Sequence, residues 1–399
     1  MSFNLLALGD VHFDTPSLFG EDERKRLESL KKEAFSKAVD EAMARNANAF
    51  LICGDLYDEG AVSFETLIFL RKCFLKLASC GIKVIYAHGK SDPGTAPDLI
   101  KTTNVVDFSL EAERYELVSD AQLPEAVIHA AGFSNNAGFL IDQFEAKDTK
   151  YPTIGMMYIN EGFTQQGSFI VDSLTNLNYD LFIIGGYHHY LIANAEGNVI
   201  YPGSPTGTWF ADKPGGALFA QFNDYGQMTL DKISLSDVSW YDIDVQNISE
   251  TDIGTLKRKL EVEIQSQVAS TKNAFARITL SGRCHISESI DDETLEDMKE
   301  ELSKTADVAV HIEKKNLLPM LPKTLFDTTS PFVESVKIID AMKNDDEKFE
   351  QLVELVQKKH ELFYSTIPEE MKRKYGSDFK GGLLDAICKV MIKEASYEN

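Results

Sequence analysis

Asp10 and His12 stand two residues apart at the end of the apolar run Leu5-Leu6-Ala7-Leu8, in the stretch LLALGDVHFD. The run reads as a short buried strand. Side chains two apart on extended backbone share a side, so a carboxylate oxygen and an imidazole nitrogen leave the strand end together. That donor pair suits a divalent first-row ion such as Mn²⁺, Fe²⁺ or Zn²⁺. A turn or cap is the commoner use of Asp-x-His, and the metal reading gains weight only because the pattern recurs. Ala49 to Cys53 is a second apolar run, ending in Gly54-Asp55, and Lys83 to Ala87 a third, ending in His88-Gly89-Lys90-Ser91-Asp92. Leu181 to Ile184 runs into Gly185-Gly186-Tyr187-His188-His189, and Val199 to Tyr201 into Pro202-Gly203-Ser204. Asp14, Asp58 and Asp92 read as turn residues.

The segments between these runs must position them. Leu27, Leu30, Ala34, Ala38 and Ala42 fall at helical spacing within residues 21 to 48, and residues 64 to 80 repeat the pattern. Strands alternating with helices of that length predict right-handed crossovers and mainly parallel pairing, with chemistry at the carboxyl ends of the strands. Further strands are expected near Val105, at 127 to 130, 154 to 159, 217 to 222 and 228 to 233. After Ser236 the order changes to strand (240 to 245), helix (250 to 268, with Ser249 as N-cap), strand (274 to 280), acidic helix (291 to 304) and strand (308 to 313). Pro319, Pro322 and Thr328 to Pro331 read as a linker, followed by charged helices to residue 399. The expected organisation is therefore a domain over residues 1–235, a small α/β domain over 236–318, and a linker with a helical region over 319–399.

Composition narrows the function classes. The 399 residues are 43% hydrophobic and 26% charged, ordinary globular values, and no apolar run is long enough for a membrane span. The N-terminus lacks the order of a signal peptide, which predicts a cytoplasmic chain. Five cysteines without a C-x-x-C pair argue against a disulfide framework or a thiolate zinc site. At a formal charge of −23 the chain has no basic reservoir for nucleic acid, so any DNA contact needs a local patch or a partner that supplies positive surface.

Taken together, Asp10-x-His12, Gly54-Asp55, Gly89-x-x-Asp92, Gly186-x-x-His189 and Tyr201-Pro202-Gly203-Ser204 resemble the calcineurin-like metallophosphoesterases. The small βαβαβ segment and helical tail make the likeness closest to the SbcD-type DNA-repair nuclease subunits. The resemblance implies an α/β two-sheet sandwich flanked by helices, a small α/β capping domain and a helical tail. It also implies two divalent metals that clamp and activate water against a phosphodiester. Asp10, His12, Asp55 and His189 match ligand positions of the family. Lys90 stands where the family has an Asn ligand, Ser91 where it has its proton-donor His, and Tyr158 and Tyr187 where it has two further imidazoles.

The resemblance thus implies one intact ion site and one that has lost all but its bridging carboxylate. The chain is expected to hold at most one divalent metal, Mn, Fe or Zn, or none. Lys90 is expected to fill the lost position as a fixed positive charge paired with Asp55, converging there with Tyr158 and Tyr187. His88 and His188 are the candidate substitutes for the lost imidazoles. Three functions follow: an impaired subunit that binds or processes DNA ends with an SbcC-like ATPase held by the C-terminal helices, an active one-metal exonuclease with Lys90 stabilising phosphoryl charge, or a small-molecule phosphatase or nucleotide-binding protein. A homodimer through residues 21 to 48 and 64 to 80 is implied by the same resemblance.

Overall fold

The computed structural model describes residues 3–16, 18–108, 113–118, 124–133, 141–147, 149–159, 165–210, 212–246, 248–268, 273–319 and 338. The expected helical region from 332 onward, and Cys388, lie outside the described residues apart from Ile338.

Three apolar runs become β1 (Phe3–Leu8), β2 (Ala49–Cys53) and β3 (Lys83–Ala87), nearly every residue of them buried. They pair in parallel with one another and with β4 (Val105–Phe108). The connections are α1 (Glu21–Ala44) and α2 (Phe64–Ser79). Acidic residues Glu21, Asp22 and Glu23 occupy the first turn of α1, where they complement the helix dipole. Ser63 caps α2, its hydroxyl accepting the Thr66 N–H at 3.1 Å. On the far side of β1 the sheet is completed by an antiparallel hairpin of β11 (Ala217–Phe222) and β12 (Met228–Ile233).

A second six-stranded sheet contains β5 (Glu113–Val118), β6 (Pro124–Ala131), β7 (Thr153–Tyr158), β8 (Leu181–Gly185), β9 (Leu191–Ile192) and β10 (Val199–Tyr201). Its order is β5-β6-β7-β8-β10-β9. The expected mainly parallel pairing holds at the centre of both sheets, while β1–β11 and β11–β12 are antiparallel at one edge of the first and β5–β6 and β9–β10 at the two edges of the second. Short hairpins can close sheet edges where no room for a crossover helix is needed.

Alternate residues of both sheets meet in one core, with Leu5, Leu51 and Ile85 from the first and Ile128, Met156 and Ile183 from the second. The opposite face of the first sheet packs on Phe35, Val39, Leu70 and Phe74 of its two helices. The opposite face of the second packs on Ile170, Val171 and Leu174 of α3 (Gln165–Thr175). The central strands are thus buried on two faces, which is why they read as unbroken apolar runs.

The remaining elements are β13 (Ser239–Gln246), α4 (Ile253–Gln267), β14 (Ala274–Cys284), α5 (Asp292–Ala306) and β15 (Ala309–Pro319), with the strands in the order β13-β14-β15. Asp252, not Ser249, caps α4, its carboxylate accepting the Thr255 N–H at 2.8 Å. Two compact units are distinguishable. Residues Met1–Ile243, Lys259–Ile278 and Asp297–Ile312 form the first, and Asp244–Arg258, Thr279–Glu296 and the chain from Glu313 form the second. Among the described residues no helix is long and apolar enough to cross a membrane.

Candidate metal centre

The carboxyl ends of β1, β2, β3, β7 and β8 deliver the residues singled out by the sequence. The loops after β1 and β2 are zipped together by Asp10 N–H to Gly54 O (3.0 Å), His12 N–H to Asp55 O (2.9 Å) and Phe13 N–H to Leu56 O (3.0 Å). Holding this path costs backbone strain, since Asp10, His12 and Asp55 all adopt positive φ, at 52°, 53° and 48°. Such conformations in non-glycine residues concentrate at functional sites. Gly54, at φ +81°, is packed so closely that a Cβ would lie 2.3 Å from the Tyr158 ring.

Asp10, His12 and His188 each offer a ligand atom, and the three atoms lie within 4.8 Å of one another. Asp10 is buried, its two oxygens accepting the Gly186 N–H at 2.9 and 3.1 Å. His12 Nε2 is buried and has no hydrogen-bond partner; Asp55 Oδ2 lies 3.4 Å away, without hydrogen-bond alignment. A buried imidazole nitrogen left in this way is what a cation would satisfy. His188 Nδ1 lies 3.0 Å from Asp212 Oδ2, and Asp212 in turn accepts the Thr208 and Trp209 N–H groups at 2.7 and 2.9 Å. A carboxylate that fixes the tautomer of a histidine in this way is the usual support of a metal-ligating imidazole.

The electrostatics of the group favours protons at these positions, which a bound cation would have to displace. Burial, together with the charge of Asp55, pushes the Asp10 carboxyl up to about 6 against the opposing pull of His188, His12 and the Gly186 N–H. Burial alone would lower the His188 pKa, but the Asp212 hydrogen bond and the charges of Asp10, Asp212 and Asp55 carry it up to about 9. Burial raises Asp58, which is outweighed by hydrogen bonds from His12, Thr15 and Ser91, so its carboxyl titrates below the usual range.

The structure sorts the sequence candidates. His189 is not in the group. Its Nδ1 accepts the Lys213 N–H at 3.2 Å, and its ring packs 5.1 Å from Tyr187. His188, expected only as a candidate substitute for a lost imidazole, is the histidine of this turn that joins the group in place of His189; Gly186 before it has φ +93°, and a Cβ there would meet Ile159 O at 2.1 Å.

Asp55 is beside the group but engaged elsewhere: Oδ1 accepts the Ser91 N–H at 2.7 Å and Oδ2 the Tyr158 hydroxyl at 2.6 Å. Burial and the Asp55 charge drive the Tyr158 phenol well above its ordinary pKa, so it stays a donor. Lys90 does not reach the position expected of it. It is exposed, and the oxygens of Asp55 are taken by other groups. Tyr187 packs on Tyr201 (5.6 Å) and His189 and joins the apolar cluster of the second sheet. Of the three residues expected to converge, Tyr158 alone is bonded to the carboxylate. His88 is no substitute ligand, because both ring nitrogens are occupied, by Asp92 O (2.6 Å) and Asp107 Oδ1 (2.5 Å).

Two residues carry more than the sequence assigns them. Asp92 is buried and ties both turns, accepting N–H groups of Gly89 (2.6 Å), Asp55 (3.1 Å) and Leu56 (2.7 Å) and the Tyr86 hydroxyl. Lys31 of α1 is buried, its ammonium donating to His12 O (2.5 Å) and Glu28 Oε1 (2.8 Å), while Glu28 Oε2 accepts the Asp14 N–H (2.9 Å). The i, i+3 spacing of Glu28 and Lys31 was a readable pairing signal, but nothing in it told that the pair is buried.

No model of a protein family matches the chain. Over 210 residues, 49% of the chain, the sequence is 29% identical to the uncharacterized metallophosphoesterase YhaO of Bacillus subtilis (strain 168). The match covers 51% of that relative, so the chain spans about half its length. Similar solved structures include TT1561 of Thermus thermophilus, at 15% identity and a TM-score of 0.34 over 58% of this chain and 99% of that one. A dimetal phosphatase from Danio rerio is 11% identical, with a TM-score of 0.36 over 58% and 96%. The calcineurin-like phosphoesterase YfkN from Bacillus subtilis is 11% identical, with a TM-score of 0.32 over 66% and 97%. Among the described residues, Asp10, His12 and His188 form the group that could hold a metal ion.

Proposed function

We propose that the chain is a phosphoester-handling protein with a single divalent cation at Asp10, His12 and His188, of the SbcD-like kind that acts on DNA ends. One observation carries the reading: three ligand atoms converge within 4.8 Å, while Asp55, the carboxylate that would lead to a second ion, is hydrogen-bonded by Tyr158. A cation bound there would supply Lewis-acid charge against a phosphoryl oxygen. The chain's own residues hold and orient the rest. Asp212 fixes His188, Gly186 N–H fixes Asp10, and Lys31 fixes the His12 carbonyl. Lys90, at the exposed turn, is free to meet an incoming phosphate. Without a proton donor where Ser91 stands, leaving-group departure is slowed by about 10²- to 10⁴-fold relative to an equipped site. The chain is therefore an impaired hydrolase.

The finer assignment rests on the motif order quoted above. The domain organisation (1–235, a capping domain over 236–318, a partner-binding region over 319–399), the SbcC-like ATPase and the homodimer belong to the same proposal. The charge of −23 favours a partner that brings the positive surface to DNA. Calorimetric titration with Mn²⁺ tests the core of it. One ion per chain, lost in Asp10→Asn, is expected; two ions, or none, overturn the reading.

A further inference from the structure

We propose that Arg277 of β14 is a positioning residue for the candidate centre: it clamps the turn that carries Asp212, and Asp212 holds the His188 imidazole. That His188 serves a cation rests on the reading above; that Arg277 controls His188 does not. Asp212 is 8% exposed, and its Oδ2 is the hub of the turn. It meets His188 Nδ1 at 3.0 Å and accepts the Thr208 N–H at 2.7 Å, the Thr208 hydroxyl at 3.1 Å and the Trp209 N–H at 2.9 Å. The Asp212 N–H closes back onto Trp209 O at 2.9 Å. Asp212 and Trp209 are therefore tied in both directions, and whatever holds Trp209 holds the carboxylate behind His188.

Arg277 grips Trp209. That ring is 45% exposed, too wet to be fixed by burial. The Arg277 guanidinium lies 5.5 Å from its centroid and 5.1 Å from that of Phe210, within reach of a cation–π contact on both rings. Its own place is set by a fork onto Asp242 of β13, Nε to Oδ1 at 2.9 Å and Nη2 to Oδ2 at 2.5 Å. A planar guanidinium makes that two-point grip and an ammonium does not. The root of the same loop is pinned from β13 and the residues before it. Trp240 donates its indole N–H to Thr206 O at 2.8 Å, and Ser236 its hydroxyl to Pro205 O at 2.8 Å. Nearer the histidine, the Ser204 N–H reaches His188 O at 2.9 Å. With the root fixed in this way, the freedom left to the turn is at its tip, where Arg277 acts. Released there, Asp212 would swing and the imidazole would turn away from Asp10 and His12.

Two readouts separate positioning from ordinary stabilisation, and Arg45 supplies the control. Arg45 makes the same kind of clamp elsewhere, 4.9 Å from the Phe219 ring centroid and 2.6 Å from Asp231. The first readout is NMR of the metal-free full chain carrying isotope-labelled histidine. The ring N–H of His188 that faces Asp212, identified by its loss in Asp212→Asn, is expected to shift or broaden in Arg277→Ala and to stay in place in Arg45→Ala. The His88 ring, bonded to Asp107, is the internal reference in the same spectrum. The second is calorimetry with Mn²⁺. Arg277→Ala should weaken the ion about 2- to 30-fold, the span that a cation–π contact converts to, and Arg45→Ala should leave it unchanged. Asp212→Asn should cost about 10- to 100-fold, and adding Arg277→Ala to it should cost nothing more, because both act through one contact. Should Arg277→Ala fail to fold, Arg277→Lys, which keeps the charge and loses the fork, is read in the same way. An unmoved His188 signal, or additive losses in the double variant, overturns the proposal. A His188 signal that moves in a chain that binds no Mn²⁺ keeps the clamp and removes the metal reading; Mn²⁺ binding with an unmoved signal does the reverse.

Discussion

In the proposed reading, Tyr158 decides how many ions this site takes. Its hydroxyl holds Asp55 Oδ2 at 2.6 Å, inside a fold where Asp55 already stands 3.4 Å from the orphaned His12 nitrogen. A hydrogen bond to a charged group contributes about 1.5–3 kcal/mol, and in Tyr158→Phe that stabilisation disappears while the carboxylate stays buried. A cation bound beside Asp55 would then recover part of the loss. Tyr158→Phe is therefore expected to bind Mn²⁺ about 10- to 100-fold more tightly than the parent and to melt lower without it, by calorimetry and thermal denaturation respectively. A hydroxyl that merely fills space would leave Mn²⁺ affinity where it was. His188 makes the complementary case. Neither its type nor its spacing separated it from His189; Gly186, at φ +93°, was readable as a turn residue, but which of the two adjacent side chains the turn delivers to the group was not.

Elements enter through the two props that hold the loops. Lys31 and Glu28 of α1 form a buried ion pair that also fixes His12 O and the Asp14 N–H. Breaking such a pair from one side costs about 3–5 kcal/mol, since a charge is left unpaired out of water. Lys31→Met should fall in that range by urea denaturation, and Lys31→Met with Glu28→Leu should regain more than half of the loss while Mn²⁺ affinity stays reduced, because the loop remains unsupported.

The second prop joins β3 to β4 through His88 and Asp107, 2.5 Å apart. Burial lowers the His88 pKa, but the Asp107 bond and the charges of Asp92 and Asp107 outweigh it and leave it raised. Asp107, despite burial, is lowered by the His88 bond. The histidine's contribution is complete below its unfolded pKa of about 6.5 and is lost as pH rises through the folded value; the aspartate's is complete above about 3.8 and is lost as pH falls through its own. The pair thus stabilises most between about pH 4 and 6.5. Stability of the parent minus that of Asp107→Asn, measured by denaturant titration across pH 3 to 9, should peak in that window; a difference flat with pH would show the pair to be neutral.

Central strands were legible because burial on both faces leaves an unbroken apolar run: β2, β3 and β10 fall on the residues expected, and β11 and β12 do as well although β12 is largely exposed. The edge strand β5 was not, since Glu113, Arg114 and Glu116 alternate with half-buried or buried residues and resemble loop. Asp92 was legible as a turn former but not as the tie between two turns, because its partners are backbone N–H groups from a strand end far away in sequence.

For the whole molecule the governing quantity is charge. At −23 over 399 residues the chain repels nucleic acid at long range, and each phosphate it neutralises would contribute about −0.9 to the slope of log K against log salt on duplex DNA. A site that reaches one strand end engages one phosphate, whereas a groove that tracks a duplex engages about six or more. The isolated chain is therefore expected to bind a 5′-phosphorylated single-stranded oligonucleotide with a slope of about −0.7 between about 50 and 200 mM salt, and blunt duplex DNA more weakly at every salt concentration. A slope steeper than −4 for duplex, measured by fluorescence anisotropy, would mean a basic surface assembled by the fold from lysines and arginines scattered through the sequence. It would also remove the need for a partner to bring DNA to the Asp10–His12–His188 centre.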